Sequence, residues 1–317
     1  MKLFGCKEKL ADCYRQLAPA DGYESSLELC AGTAVFSRRV SVASEKVAVE
    51  KDPGQAALLR VIKDNPVGLI ETMDKINYCP EIFDDAVTIR EQGYQGYSDL
   101  EKAVAKKVLI EFSYNSTGVS FRDVDRGDTL EDLTRAQKFK SSIRNSNMPS
   151  ILSDSIGLKG INIVEDDMFN YLDKLGDEST WCFIDSPYLW SLRSSKKGYD
   201  IEWSNELHEE LLNQLQALYH NDRLKSKVMI CCYVDMGDLK NDLYCQSLMK
   251  IGFKLVVVAK VYRPRIIKAN TKKRIKPEVM ECVFINYDPI VEDDMKTFTY
   301  SEIFGGDDIE RDSSHQR

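Results

Sequence analysis

Short apolar runs bounded by turns recur along this chain and alternate with segments of helical period. The runs are LELC (27–30), KVAVE (46–50), INIV (161–164), WCFID (181–185), KVMICC (227–232), KLVVV (254–258) and VMECVFI (279–285). Between two of them, ELHEELLNQLQAL sets Leu207, Leu211, Leu212, Leu215 and Leu218 on one helical face, with Ser204 as its cap. After KVAVE, Asp52-Pro53 supplies an N-cap and a proline at the first helical position, and the helix AALLRVIKD ends before Asn65-Pro66. Seven strand candidates in this rhythm predict a doubly wound α/β sheet.

The rhythm stops between about residues 75 and 150. That stretch is polar, with Tyr94, Tyr97 and Tyr114, a helical segment near 99–112, and a basic patch of Arg135, Lys138, Lys140 and Arg144. It reads as an insert in a domain formed by 1–74 and 151–287. Residues 288–317 hold nine acids and three bases and read as a partly disordered acidic tail.

Composition removes several chemistries. Three His, at 208, 220 and 315, never cluster, which argues against a His-based zinc site or a Ser/Cys–His nucleophile pair. Nine Cys form no CxxC and sit largely in apolar runs, as buried thiols of a reducing compartment do. No run approaches a membrane span and the first residues lack a signal-peptide core. The expectation is a cytoplasmic protein with no metal and no membrane partner, of open oligomeric state. The formal charge of −8 speaks against indiscriminate nucleic-acid coating, not against a local basic groove.

Three constellations carry chemistry. The first is Glu28-Leu-Cys30-Ala-Gly32-Thr-Ala34, a small-residue turn after a strand that lets a ligand approach backbone N–H groups. The second is Glu50, 18 residues beyond Gly32 at the end of the next strand. In nucleotide-type folds an acid there accepts hydrogen bonds from both ribose hydroxyls. The third is Phe183-Ile-Asp185-Ser186-Pro187-Tyr188, an acid, a rigid kink and an aromatic at a strand's carboxyl end. An exocyclic amine on a nucleobase is a poor nucleophile, because its lone pair is delocalised into the ring. The Asp185 carboxylate and the Ser186 carbonyl can accept its two hydrogens and draw the nitrogen toward tetrahedral geometry, while Tyr188 stacks on the extruded base.

This set resembles the Dam-type DNA adenine-N6 methyltransferases, whose hallmark is Asp-Pro-Pro-Tyr. Gly5-Cys6-Lys7 is similar to the family's Gly-Gly-Lys entry segment, and Glu165-Asp-Asp167-Met168 to the acid–apolar pair that holds the cofactor adenine. Leu207-His208-Glu-Glu-Leu211, Ile251-Gly252-Phe253 and the closing 278–287 also fit, in the family's order. The resemblance implies a seven-stranded mixed Rossmann-like methyltransferase sheet, with 75–150 as a small, mainly helical target-recognition insert. It further implies S-adenosyl-L-methionine as cofactor, bound by Lys7, Glu28, Cys30, Gly32, Glu50, Asp167, Met168 and Asp185, and double-stranded DNA as partner. The catalytic set is Asp185, Ser186, Pro187 and Tyr188. Four positions depart from the pattern: Cys6 and Ala34 replace glycines, Cys30 stands for phenylalanine, and Ser186 for the first proline. Cytosine-N4 or RNA amino-methylation, and noncatalytic DNA binding on a decayed enzyme fold, stay open as alternatives.

Residues 260–276 carry eight basic side chains and no acid. Arg263, Arg265, Lys268, Lys272, Lys273 and Arg274 are candidate phosphate contacts, with Lys196 and Lys197 as a second group beside the patch at 135–144.

Overall fold

The computed structural model describes residues 6–123, 137, 141, 149–189, 203–260, 279–290 and 295–305. All seven strands read from the sequence form. They are β1 (Ser25–Leu29), β2 (Glu45–Glu50), β3 (Ile161–Glu165), β4 (Thr180–Ile184), β5 (Lys227–Asp235), β6 (Lys254–Lys260) and β7 (Val279–Ile285). The helices are α1 (Ala11–Gln16), α2 (Pro53–Asp64), α3 (Pro66–Lys75), α4 (Pro80–Glu91), α5 (Asp99–Phe112), α6 (149–158), α7 (Asn205–His220), α8 (Leu243–Leu248) and α9 (Tyr300–Phe304).

The sheet has eight strands, not the expected seven. The eighth, β8 (Thr297–Phe298), pairs antiparallel with β6, setting Phe298 opposite Leu255 and Thr297 opposite Val256. It lies in the stretch read as an acidic tail, and α9 follows it behind a capping box between Thr299 and Glu302. That part of the tail is therefore ordered. Two residues show no period, so the strand leaves no apolar signal; the Thr-x-x-Glu box was the legible cue.

The strand order is β3-β2-β1-β4-β5-β7-β6-β8. The pairs β2–β3, β1–β4 and β4–β5 are parallel, while β7 runs antiparallel to both β5 and β6. The order reverses direction between β1 and β4. In open α/β sheets such a switch point opens a crevice at the strands' carboxyl ends, where ligands bind.

The chain divides into two compact units. One holds Cys30–Met168 with the described residues before Asp12. Its core joins Leu58, Leu59 and Ile62 of α2 to Ala103, Val108 and Leu109 of α5, Phe83 of α4, and Ile161 and Ile163 of β3. Asp52 caps α2 as expected, its Oδ1 accepting the N–H groups of Gly54 and Gln55 at 2.8 and 3.1 Å. Gly54 leaves room for the Tyr94 ring, whose hydroxyl end would have to shift to admit a Cβ there. The second unit holds Asp12–Leu29 and the described residues from Phe169 onward. There Leu211, Leu212, Leu215 and Leu218 of α7 are buried, as the helical stripe required, and β4 is buried along its whole length. Among the described residues no helix is long and apolar enough to cross a membrane.

Candidate active site

The second unit contains the switch point. β1 and β4 lie side by side in parallel, with Leu29 opposite Ile184. Asp185 is the next residue, and its N–H donates to the Leu29 carbonyl at 3.2 Å. The strand pairing thus continues into the motif and fixes the backbone that carries the acid. Asp185 is half-buried, whereas Ser186, Pro187 and Tyr188 are buried. The Ser186 hydroxyl is buried with no hydrogen-bond partner among the described residues.

Behind the motif lies a polar cluster in an otherwise apolar layer. The Tyr188 hydroxyl donates to Glu281 Oε1 on β7. Its ring meets that of Tyr233 with centroids 4.2 Å apart at 61°. Cys231, two residues before Tyr233 and so on the same face of β5, donates its S–H to the Tyr14 hydroxyl at 3.2 Å. The Tyr14 ring sits 5.4 Å from that of Phe183. Burial, reinforced by nearby acidic groups including Asp185 and Glu281, holds the Tyr14 and Tyr188 hydroxyls well above their usual range, so both remain protonated.

The first unit contains the loop that follows β1. Cys30, Gly32 and Ala34 take left-handed φ values of 58°, 53° and 52°. Glycine adopts this conformation freely, whereas Cys30 and Ala34 do so at a cost of roughly 1 kcal/mol each. At Ala34 the loop therefore holds a glycine-like backbone without a glycine, while Gly32 keeps one. The Ala34 methyl is fully buried and packs into the core. The Gly32 N–H donates to Glu50 Oε2 at 2.7 Å, and the Asp52 N–H to Glu50 Oε1 at 2.9 Å. Each carboxylate oxygen thus holds one backbone donor and keeps capacity for another, a geometry suited to a vicinal diol. Burial is the main reason the Glu50 carboxyl is pushed up to about 7. Asp52 adds to the rise, and the two N–H donors and Lys106 oppose it. Asp52 itself is paired with buried Lys106 at 2.5 Å.

Around this loop, Cys6 Sγ lies 3.3 Å from Thr33 Oγ1, which brings the segment bearing buried Lys7 onto it. Cys30 Sγ contacts the sulfur of buried Met168 at 3.4 Å. Asp167 is committed to an ion pair with Lys51 at 2.6 Å. Lys7, Cys30, Gly32, Glu50 and Met168 therefore gather in the first unit, while Glu28, buried in β1, and the 185–188 motif belong to the second.

No family model and no curated protein matches the chain. A solved structure similar to it is the rRNA methyltransferase aviRa from Streptomyces viridochromogenes, at 14% identity and a TM-score of 0.32, over 88% of this chain and 84% of that one.

The proposed DNA contacts Arg135, Lys138, Lys140, Arg144, Lys196, Lys197, Arg263, Arg265, Lys268, Lys272, Lys273 and Arg274 lie outside the described residues. Sequence reasoning did not single out Tyr14, Tyr233 or Glu281. Glu281 had a signal: an acid in the middle of an apolar strand is costly unless something there needs it. Tyr14 had none, since its partner Cys231 is 217 residues away.

Proposed function

We propose that this chain is an S-adenosyl-L-methionine-dependent methyltransferase that modifies the N6 amine of a flipped-out adenine in double-stranded DNA. The observation that carries the reading is the position of Asp185-Ser-Pro-Tyr, at the carboxyl end of β4 beside β1, where the strand order reverses. The cofactor's sulfonium makes its methyl group electrophilic. The chain's residues fit such a cofactor: Glu50 has acceptor capacity left on both oxygens for the ribose hydroxyls, and Cys30 and Met168 supply soft apolar contact.

The rest of the work falls to the motif. The half-buried Asp185 carboxylate and the Ser186 main-chain carbonyl accept the two amine hydrogens, localising the nitrogen lone pair. Replacing proline with Ser186 keeps that carbonyl, and Pro187 biases Ser186 toward the extended backbone. Tyr188 gives the base an aromatic wall. Asp185 also favours the positive charge that develops on the nitrogen, an electrostatic contribution that costs no reorganisation in a preset site. As the methyl leaves the sulfonium for the nitrogen, the nitrogen gives up one proton, to Asp185 or to water. Holding amine and donor together supplies much of the remaining acceleration.

The test is labelled methyl transfer by the full chain to duplex DNA and to RNA, followed by nucleoside analysis. N6-methyladenine in DNA is the expected product. Asp185→Ala should lower the rate by roughly a thousandfold while cofactor affinity and thermal unfolding stay near wild type. Label in RNA or on cytosine N4 would overturn the substrate assignment. A folded, fully active Asp185→Ala protein would overturn the mechanism.

A further inference from the structure

Glu281 lies in the middle of β7, 5% exposed, with β5 on one side and β6 on the other. An apolar residue would suit this place better for packing alone, because a buried carboxylate loses its hydration. What Glu281 does there follows from register. Tyr233 stands directly opposite it on β5, so the two side chains share a face of the sheet. Both converge on one ring: Glu281 accepts the Tyr188 hydroxyl, and the Tyr233 ring lies against the Tyr188 ring at 4.2 Å. Two neighbouring strands thus grip Tyr188 at its polar tip and across its body.

We infer that Glu281 is a positioning residue of the site, anchoring the hydroxyl end of Tyr188 so that an extruded base meets the ring at one place. The inference rests on the methyltransferase reading above and deepens it. Glu281 acts through Tyr188 and touches neither base nor cofactor. Stacking depends on where two rings meet and at what angle. The packed Tyr233 ring restrains rotation of Tyr188 about its own axis, and the bond at the hydroxyl keeps the ring from tilting or shifting away from that seat. Burial raises the Tyr188 hydroxyl well above its usual range, which keeps it a donor to Glu281 throughout the working pH range.

The experiment compares Glu281→Leu, Glu281→Gln, Tyr188→Phe and the Glu281→Leu/Tyr188→Phe pair with wild type. Single-turnover methyl transfer is measured, together with the fluorescence of 2-aminopurine placed at the methylated position once that site has been read. Cofactor affinity is measured by calorimetry. Glu281→Leu should slow transfer roughly ten- to a hundredfold and reduce the flipped-base fluorescence, with cofactor affinity within about twofold of wild type. Tyr188→Phe should do the same, and the pair should lose no more than either single variant. Glu281→Gln keeps an amide oxygen that can accept the hydroxyl and should recover most of the rate, while also guarding against a folding defect in the leucine variant. An active wild type whose Glu281→Leu variant transfers at full rate, or whose two losses simply multiply, overturns this inference alone. A wild type that methylates no nucleic acid overturns it together with the functional reading.

Discussion

Ser186 stands where a proline would carry no hydroxyl, and the protein gives that hydroxyl no partner among the described residues. An unsatisfied buried hydroxyl costs about 1 kcal/mol or more. Ser186→Ala should therefore raise stability by about 1 kcal/mol, seen as a rise of roughly 2 °C in the thermal midpoint. Methyl transfer should be retained, since the acceptor the mechanism needs is the main-chain carbonyl. A tenfold loss of rate in the stabilised variant would instead assign the hydroxyl a part in the chemistry. Glu50 makes a second, pH-dependent demand. Only its ionised form offers both oxygens as acceptors, and its carboxyl titrates at about 7. Cofactor affinity should rise about tenfold between pH 6 and pH 8 and level off above, and Glu50→Gln should bind weakly with a flat profile. Titration calorimetry across that range reads it directly. For the free protein the sign is opposite. The folded state holds this proton more tightly than the unfolded chain, so its contribution is full below pH 4.5 and is lost as pH rises through about 7. At this scale the sequence already contained Asp185, Glu50 and Gly32, because strand ends and turn residues reveal themselves locally. It withheld the Tyr188–Glu281 bond, which joins residues 93 positions apart.

At the scale of elements, each strand found from the sequence is an apolar run long enough to show its boundaries; of the two caps, Asp52 accepts the first N–H groups of α2, whereas Ser204 stands at the N-cap position of α7 without a side-chain capping bond. Asp52 illustrates both the reach and the limit of such reading. Its role as the cap of α2 was legible from Asp-Pro, and the structure keeps it. Its second role was not: the same carboxylate pairs with Lys106 on α5, both side chains being nearly inaccessible. One residue thereby starts α2 and ties α5 to it. Breaking a buried pair by removing one partner leaves an uncompensated charge, typically at a cost of about 3 kcal/mol or more. Lys106→Met should therefore lower stability by about 3 kcal/mol, read as a lower urea midpoint with unchanged slope. Asp52→Asn, which keeps a capping oxygen, should restore most of that loss when added to Lys106→Met, because no buried charge is then left alone. If the pair of substitutions were additive, the two side chains would not be acting as an ion pair. The π-helical turn Phe36–Val40 and strand β8 escaped sequence reading for the complementary reason: five and two residues are too few for a period to emerge.

At the scale of the whole molecule, the net charge of −8 averages over a polarised sequence. Residues 288–317 hold nine acids against three bases, whereas residues 260–276 hold eight bases and no acid. A carboxylate-based site such as Asp185 attracts no polyanion by itself, so the proposed DNA substrate would have to be drawn in by charge placed elsewhere in the chain. The basic stretch between β6 and β7 is the densest supply. Duplex DNA releases about 0.9 counterion for each phosphate a side chain neutralises, which makes affinity fall with salt along a line whose slope counts the contacts. Replacing Lys272, Lys273 and Arg274 with glutamine should weaken DNA binding uniformly across sequences. It should also reduce the slope of log affinity against log salt by up to about 2.7. Because a phosphate contact carries no base information, the choice of methylated site should not change. Fluorescence anisotropy over a salt series, with sequencing of the methylated product, measures both. A slope identical to wild type would mean that these three cations meet no phosphate, and would leave that part to Arg135, Lys138, Lys140 and Arg144.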